Sequence, residues 1–203
     1  MKRIVVLSII VCALCATAVW SSTSQPKHQT DNQQVKFGFS SVGFGVGIVD
    51  PDDVDVTAGF SFFGDFAEIR PNVNLEMFLG YWQQSEDVWD GGDVTLRDFT
   101  IMPRCKYMFD LQSSSVTPFV GGGLGFHIVS AGIDVPTMEY GGGVIIPGYS
   151  EDETELKLGL DLGGGMLFNV KDSMAIQTDA WYSMVSDVSH LALRVGLVFK
   201  LGR

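Results

Sequence analysis

The sequence predicts an all-β protein, specifically an eight-stranded antiparallel up-and-down transmembrane β-barrel. Three observations carry that reading. Hydrophobicity from Val35 onward repeats with a period close to two, the spacing of a strand with unlike faces and not of a helix. The composition is 46% hydrophobic and 18% charged, with 24 glycines in 203 residues, whereas soluble domains carry roughly 25% charged residues and about 7% glycine. Short and longer connectors alternate between the strands, as tight turns on one side of a membrane and larger loops on the other would. The formal net charge of −11 sets the whole-molecule field against a polyphosphate, which excludes a nucleic-acid partner.

The amino terminus carries an address. Lys2 and Arg3 precede an apolar run over residues 4–15, and Ala16-Thr17-Ala18 offers the small-x-small pattern of a cleavage site. Residues 1–18 therefore read as a secretory signal peptide, since the run falls short of the roughly 20 residues of a spanning helix. Cys12 and Cys15 leave with it, and Cys105 remains alone, so no intrachain disulfide is expected. No motif places a base near that thiol, which reads as a small hydrophobe on a strand. Residues 19–34, with Ser21, Ser22, Thr23 and Gln33-Gln34, hold little that could enter a core and read as a flexible periplasmic leader. Residues 35–203 are left for the barrel.

Taken in order, the first strand covers residues 35–49 and changes phase near Ser40-Ser41, where a bulge would return Val42, Phe44, Val46 and Ile48 to the apolar face. A weaker copy follows over residues 54–66. In the third, Ile69, Pro71, Val73, Leu75, Met77, Leu79 and Tyr81 alternate with Arg70, Asn72, Asn74, Glu76 and Gly80. In the fourth, Phe99, Ile101, Cys105, Tyr107 and Phe109 alternate with Asp98, Thr100, Arg104 and Lys106. The fifth spans residues 117–130. The sixth is the clearest: Leu156, Leu158, Leu160, Leu162, Met166 and Phe168 share one face, opposite Glu155, Lys157, Gly159, Asp161, Gly163 and Gly165. Residues 174–185 and 191–199 supply the last two. Short turns fall at residues 67–68, 111–115 and 171–173, and longer connections at 85–93 and 132–154. An even strand number returns both termini to the periplasm.

Periodicity alone does not say which face is inside, because a soluble ligand-binding barrel would turn its apolar face inward. Volume decides. An eight-stranded barrel is just wide enough for side chains or one small ligand, and the apolar face is crowded with Leu, Phe, Met and Ile while the other carries glycines and charges of both signs. The second face goes inside. Arg70, Arg104, Lys106, Lys157 and Arg194 there meet Glu76, Asp98, Asp161 and Asp179, with Asp65, Lys200, Gln177, Asn72 and Asn74 among them. Charges in so narrow a space must pair, so the lumen is expected to be plugged. Phe37, Phe66, Tyr107, Phe109, Phe168 and Phe199 supply one interfacial girdle, and Tyr81 and Trp82 approach the other.

Over residues 35–203 the chain resembles the small OmpA/OmpX-type outer-membrane β-barrel family. The Pro118-Phe119-Val120-Gly121-Gly122-Gly123-Leu124-Gly125 segment and the closing Val195-Gly196-Leu197-Val198-Phe199 are similar to its glycine-spaced strands. The resemblance implies the outer membrane of a Gram-negative-type bacterium, contact with outer-membrane lipids and lipopolysaccharide, and insertion by the barrel assembly machinery. Members often end on an aromatic residue which that machinery recognises, whereas this chain runs on through Lys200 to Arg203.

Other motifs carry less. Residues 111–133 are uncharged and long enough for a spanning helix, but Pro118, serines and clustered glycines oppose one. The glycine triplets at 121–123, 141–143 and 163–165 lack the GK[ST] ending of a phosphate loop and read as room-making in a tight barrel. No motif calls for a cofactor. His28, His127 and His190 have no metal-ligand spacing. Ser183 or Ser186 with His190 and Asp187 could assemble a lipid hydrolase site, without a specific motif. Acidic runs at Asp50, Asp52, Asp53 and Asp55, at Glu86, Asp87, Asp90 and Asp93, and at Glu151, Asp152, Glu153 and Glu155 are expected at outer loops, where divalent cations could bridge them to lipopolysaccharide. The leading function is that of a non-enzymatic structural or surface-interaction protein acting through its outer loops. A conduit for small or hydrophobic molecules comes second, and a lipid-modifying enzyme third.

Overall fold

The computed structural model describes residues 35–52, 54–88, 92–111, 115–140 and 144–202; the segments expected to be signal peptide and leader, and the middle glycine triplet, lie outside them. Ten strands follow in chain order: β1 (Lys36–Pro51), β2 (Thr57–Arg70), β3 (Val73–Val88), β4 (Gly92–Met108), β5 (Val116–Val135), β6 (Met138–Tyr140), β7 (Val144–Ile146), β8 (Tyr149–Lys171), β9 (Met174–Val185) and β10 (His190–Lys200). Eight of them close an antiparallel barrel in the order β1-β10-β9-β8-β5-β4-β3-β2, and β6 and β7 form a small separate hairpin. Closure is made by β1 and β10, paired from Ser41↔Lys200 to Pro51↔His190. The segment weighed as a spanning helix is β5.

The two faces sort as volume required. Phe60, Leu124, Leu158 and Leu193 stand on the outer wall, more than half exposed, which is the lipid-facing band of a membrane barrel. The inner wall holds Glu76, Asp98, Arg104, Lys106 and Asp161, all buried. The register of β1 on β2 shifts between Phe37 and Ser41, at the phase change near Ser40-Ser41. Ahead of it Phe37 and Phe39 point outward, and beyond it Phe44, Val46 and Ile48 do.

Four expectations are corrected. The turn expected at residues 67–68 lies at Pro71-Asn72, because β2 runs on to Arg70 and pairs it with Val73, and Asn72 takes the left-handed conformation (φ 69°) that a tight turn needs. Arg70 is therefore exposed at a hairpin end and does not enter the lumen. Trp82 does not join the outer girdle: it neighbours Tyr81 on one strand, so Tyr81 faces lipid while Trp82 is buried inside. The interior also holds large apolar groups, with Phe63, Phe78, Met102, Ala175 and Val198 packed as one cluster.

The fourth correction concerns the connections expected at residues 85–93 and 132–154. Strands fill them. β3 and β4 stay paired to Val88↔Gly92, and β5 and β8 to Val135↔Tyr149, with the β6–β7 hairpin beyond. These extensions stand clear of lipid, so neither face is apolar and the period-two signal disappears there.

Candidate functional site

The centre of the lumen is an ion-pair layer built by register. Arg104 on β4 lies opposite Gly123 on β5, and Gly123 lies opposite Asp161 on β8. A Cβ at Gly123 would come within 2.7 Å of Arg104 Cγ, so glycine alone lets the guanidinium cross β5 to reach the carboxylate. Arg104 donates to Asp161 Oδ2 through Nε at 3.0 Å and also through Nη2. Its Nη1 stands 3.7 Å from Glu76 Oε1. Lys106 Nζ holds Glu76 Oε2 at 2.7 Å and Asp65 Oδ1 at 2.9 Å, and the Ser41 hydroxyl donates to Asp65 Oδ2.

Aromatic rings insulate this layer. The Arg104 guanidinium lies 3.5 Å from the Phe78 ring centroid and 4.2 Å from that of Trp181, and Arg194 lies 4.3 Å from Phe78. Such stacked cations gain about 2 kcal/mol or more when water is excluded. Arg194 Nε donates to Asp179 Oδ1 at 2.7 Å, and Gln177 Nε2 donates to Asp179 Oδ2 at 2.6 Å. Lys157 is not part of this layer: it sits at the outer rim, bridging exposed Glu155 and Asp187. On the periplasmic side a cavity of about 450 Å³ ends at Lys106 and Asp65, with Lys200, Asn74 and Gln177 on its walls.

A second polar group lies nearer the outer end, and sequence spacing did not reveal it. His127 Nδ1 is 2.8 Å from Asp98 Oδ2, and both side chains are fully buried. The Thr100 hydroxyl touches both of them. Asp98 thus has an imidazole partner and not the Arg or Lys expected of it. The His190 ring stands edge-on to Trp82 and to His127. Only an inward phase shared by β4 and β5, which the cross-strand pair Thr100↔His127 expresses, would have signalled this cluster.

The candidate hydrolase residues do not assemble. Ser183 and His190 are cross-strand partners inside the barrel, but Asp187 points out to Lys157, Ser186 is exposed, and His190 Nδ1 faces the Val188 carbonyl. In the Asp98–His127 pair, the Thr100 hydroxyl shares the nitrogen that faces the carboxylate. A nucleophile would have to sit at Nε2 to lose its proton there.

At the outer tip Asp87, Asp93 and Asp134 form a row across three strands, through the registers Asp87↔Asp93 and Asp93↔Asp134. Among the described residues no group of three or more His, Cys, Asp or Glu side chains is placed to hold a metal ion. The crowding instead makes the Asp93 carboxyl harder to ionise. Its hydrogen bond with Asp87, with some desolvation and the neighbouring charges, raises its pKa above the ordinary carboxylate value. A folded pKa above the unfolded one means that protonation favours the folded tip, so the tip tightens as pH falls through the raised value and loosens above it. Amide exchange at residues 92–94 is expected to slow on acidification, and Asp87→Asn to remove most of that dependence. A flat profile in the unmodified protein would refute the shared proton.

An eight-stranded antiparallel barrel with a lipid-facing apolar wall and a charge-paired interior defines a small integral outer-membrane barrel. The model of the outer membrane protein beta-barrel domain matches residues 9–200, and the chain belongs to that family. Among solved structures it is similar to the Neisserial surface protein A (15% identity, TM-score 0.57, 83% of this chain and 99% of that one). It is also similar to Ail, the attachment invasion locus protein of Yersinia pestis, in its complex with the heparin analogue sucrose octasulfate (16% identity, TM-score 0.54, 79% of this chain and 95% of that one). A major outer membrane protein from Thermus thermophilus matches at 12% identity and a TM-score of 0.53, over 79% of this chain and 99% of that one. At these identities the likeness is one of fold. A comparison with curated protein sequences finds no match.

Proposed function

We propose that this barrel is a surface-interaction protein whose lumen is stopped by its own side chains and whose outer strand ends make the contacts. The observation that carries the reading is the sheet extended beyond the lipid-facing band. β8 pairs with β9 only from Gly159 and with β5 as far as Tyr149, so its edge over residues 149–158 has no strand partner among the described residues. β3 likewise pairs with β2 only as far as Trp82. Open edges of this kind accept an extended segment of another chain, with main-chain hydrogen bonds giving affinity. Glu151, Asp152, Glu153 and Glu155 line the β8 edge, so a basic polypeptide suits it and a sulfated polysaccharide is repelled. In this the chain would differ from Ail, which was crystallised with a sulfated ligand.

Cells displaying the protein are expected to bind immobilised basic peptide in a salt-sensitive way, and a variant with Glu151, Glu153 and Glu155 changed to Gln to lose at least about tenfold in affinity at low salt. Equal binding by both would remove the edge from the mechanism. The closed lumen has its own test. Paired side chains across the interior leave no continuous water column, so purified protein in planar bilayers should show no steady conductance. Large, reproducible channels from unmodified protein would put the conduit reading first.

A further inference from the structure

We infer that the lumen holds a dehydrated halide ion, bound between the ion-pair layer and the outer His127 cluster. This does not rest on the surface reading above. A cavity of about 30 Å³ lies there, room for about two waters or one monatomic anion and too little for sulfate or phosphate. Its wall includes Trp82, Trp181, Arg104, Arg194, Ser183 and His190. No Asp or Glu lines it. Three donors of this wall are buried with no hydrogen-bond acceptor: Trp82 Nε1, Trp181 Nε1 and Arg104 Nη1, the last in an ion pair with Glu76 Oε1 at 3.7 Å but beyond hydrogen-bonding distance of it.

The placement of the neighbouring carboxylates supports the anion. Arg104 spends Nε and Nη2 on Asp161, and Arg194 spends Nε on Asp179. Both acids grip their guanidiniums without lining the cavity. Phe78 lies against both cations, so two like charges flank one ring. Taken whole, the interior carries Asp65, Glu76, Asp98, Asp161 and Asp179 against Arg104, Lys106 and Arg194, so its net charge opposes an anion. Local geometry favours one. Two indole N–H groups donate and cannot accept, and a guanidinium edge likewise offers only donors, so a water there would have only the Ser61, Thr100 and Ser183 hydroxyls and the His190 ring to take its own hydrogens. A halide accepts from all of them and has no hydrogens to satisfy. Burying an N–H without a partner is costly, and one ion removes several such costs at once.

The decisive experiment is refolding of the full chain from urea into detergent with bromide as the halide, followed by crystallisation and anomalous diffraction at the bromine edge. One bromide peak is expected beside the Trp82 and Trp181 indole nitrogens. A parallel measurement replaces sodium gluconate with sodium chloride at constant ionic strength and follows the thermal midpoint, which should rise by about 3–5 °C. Trp181→Phe keeps the ring over Arg104 and deletes one donor, so it should cut that rise to under about 1 °C while separating site binding from general salt effects. Water density without anomalous signal, or a chloride response unchanged in Trp181→Phe, overturns the inference. Should that variant fail to fold, the bromide map of the unmodified protein decides alone.

Discussion

Glu76→Ala is expected to lower the unfolding free energy by about 3–5 kcal/mol, the cost of stripping one partner from a buried ion pair. The carboxylate is 1% exposed and stands between Lys106 Nζ at 2.7 Å and Arg104 Nη1 at 3.7 Å. Without it Lys106 keeps only Asp65, and Arg104 keeps only Asp161. Within the ion-pair layer, the four anions Asp65, Glu76, Asp161 and Asp179 against the three cations Arg104, Lys106 and Arg194 become three against three. The loss comes therefore from geometry, because the Lys106 ammonium remains desolvated with one fewer acceptor and its Phe119 neighbour offers only a ring face at 5.4 Å. Asp87→Ala, in the exposed tip, should stay within about 0.5 kcal/mol of the unmodified protein. Urea titration in detergent, with the gel-mobility shift on heating as the measure of folded barrel, reads both. Replacing Glu76 by Leu, Lys106 by Met and Asp65 by Asn together should recover much of the loss, since the ammonium then leaves with both of its carboxylate partners and no member of that group stays uncompensated. Equal stability for Glu76→Ala and Asp87→Ala would show that the luminal layer does not hold the barrel together.

The lipid-spanning parts of the strands were legible because lipid outside and charge inside enforce alternation there. β9 lies where its periodicity placed it, at Met174–Val185, since Ala175, Gln177, Trp181 and Ser183 face inward without a break. Beyond the membrane the same logic ran out: Ser150 to Thr154 read as loop because water wets both faces of that part of β8, yet backbone pairing with β5 continues through it. Arg70 was misplaced for a related reason, as Pro71 and Asn72 continue the alternation formally while making the turn. In the site, Glu76, Arg104, Lys106, Asp161, Asp179 and Arg194 could be assigned inward from phase alone. Who pairs with whom could not, because Arg104 reaches Asp161 across an intervening strand, and that reach depends on register and on Gly123. The Asp98–His127 contact needed the same register information, and a histidine inside an apolar-flanked segment gives no signal of its own.

Gly163→Val should prevent the barrel from reaching its folded form, or lower its stability by about 3 kcal/mol, the upper part of the range for overpacking. Gly163 lies opposite Trp181 in the β8–β9 pair. A Cβ there would run into the Ala180 carbonyl oxygen and come within 2.7 Å of Trp181 Cδ2 and 2.9 Å of Trp181 Cα. Two of those three obstacles are backbone atoms, so no rotamer change relieves them. The indole has nowhere to retreat either, since its far edge rests on Gly121, where a Cβ would already be 3.1 Å from Trp181 Cη2, and the Arg104 guanidinium covers its face at 4.2 Å.

 Trp181 is thus held between two glycines and an arginine, and a valine at position 163 has to displace the strand itself. Gly132→Ala is the contrasting case. Its Cβ would meet the carboxylate end of Asp152, an exposed side chain free to swing into water, so this variant should fold as the unmodified protein does. The comparison is read by refolding yield into detergent and by the heat-dependent mobility shift. Normal yield and stability for Gly163→Val would mean that β8 and β9 are not packed through Trp181 as described, and the ion-pair layer that leans on that ring would lose its wall.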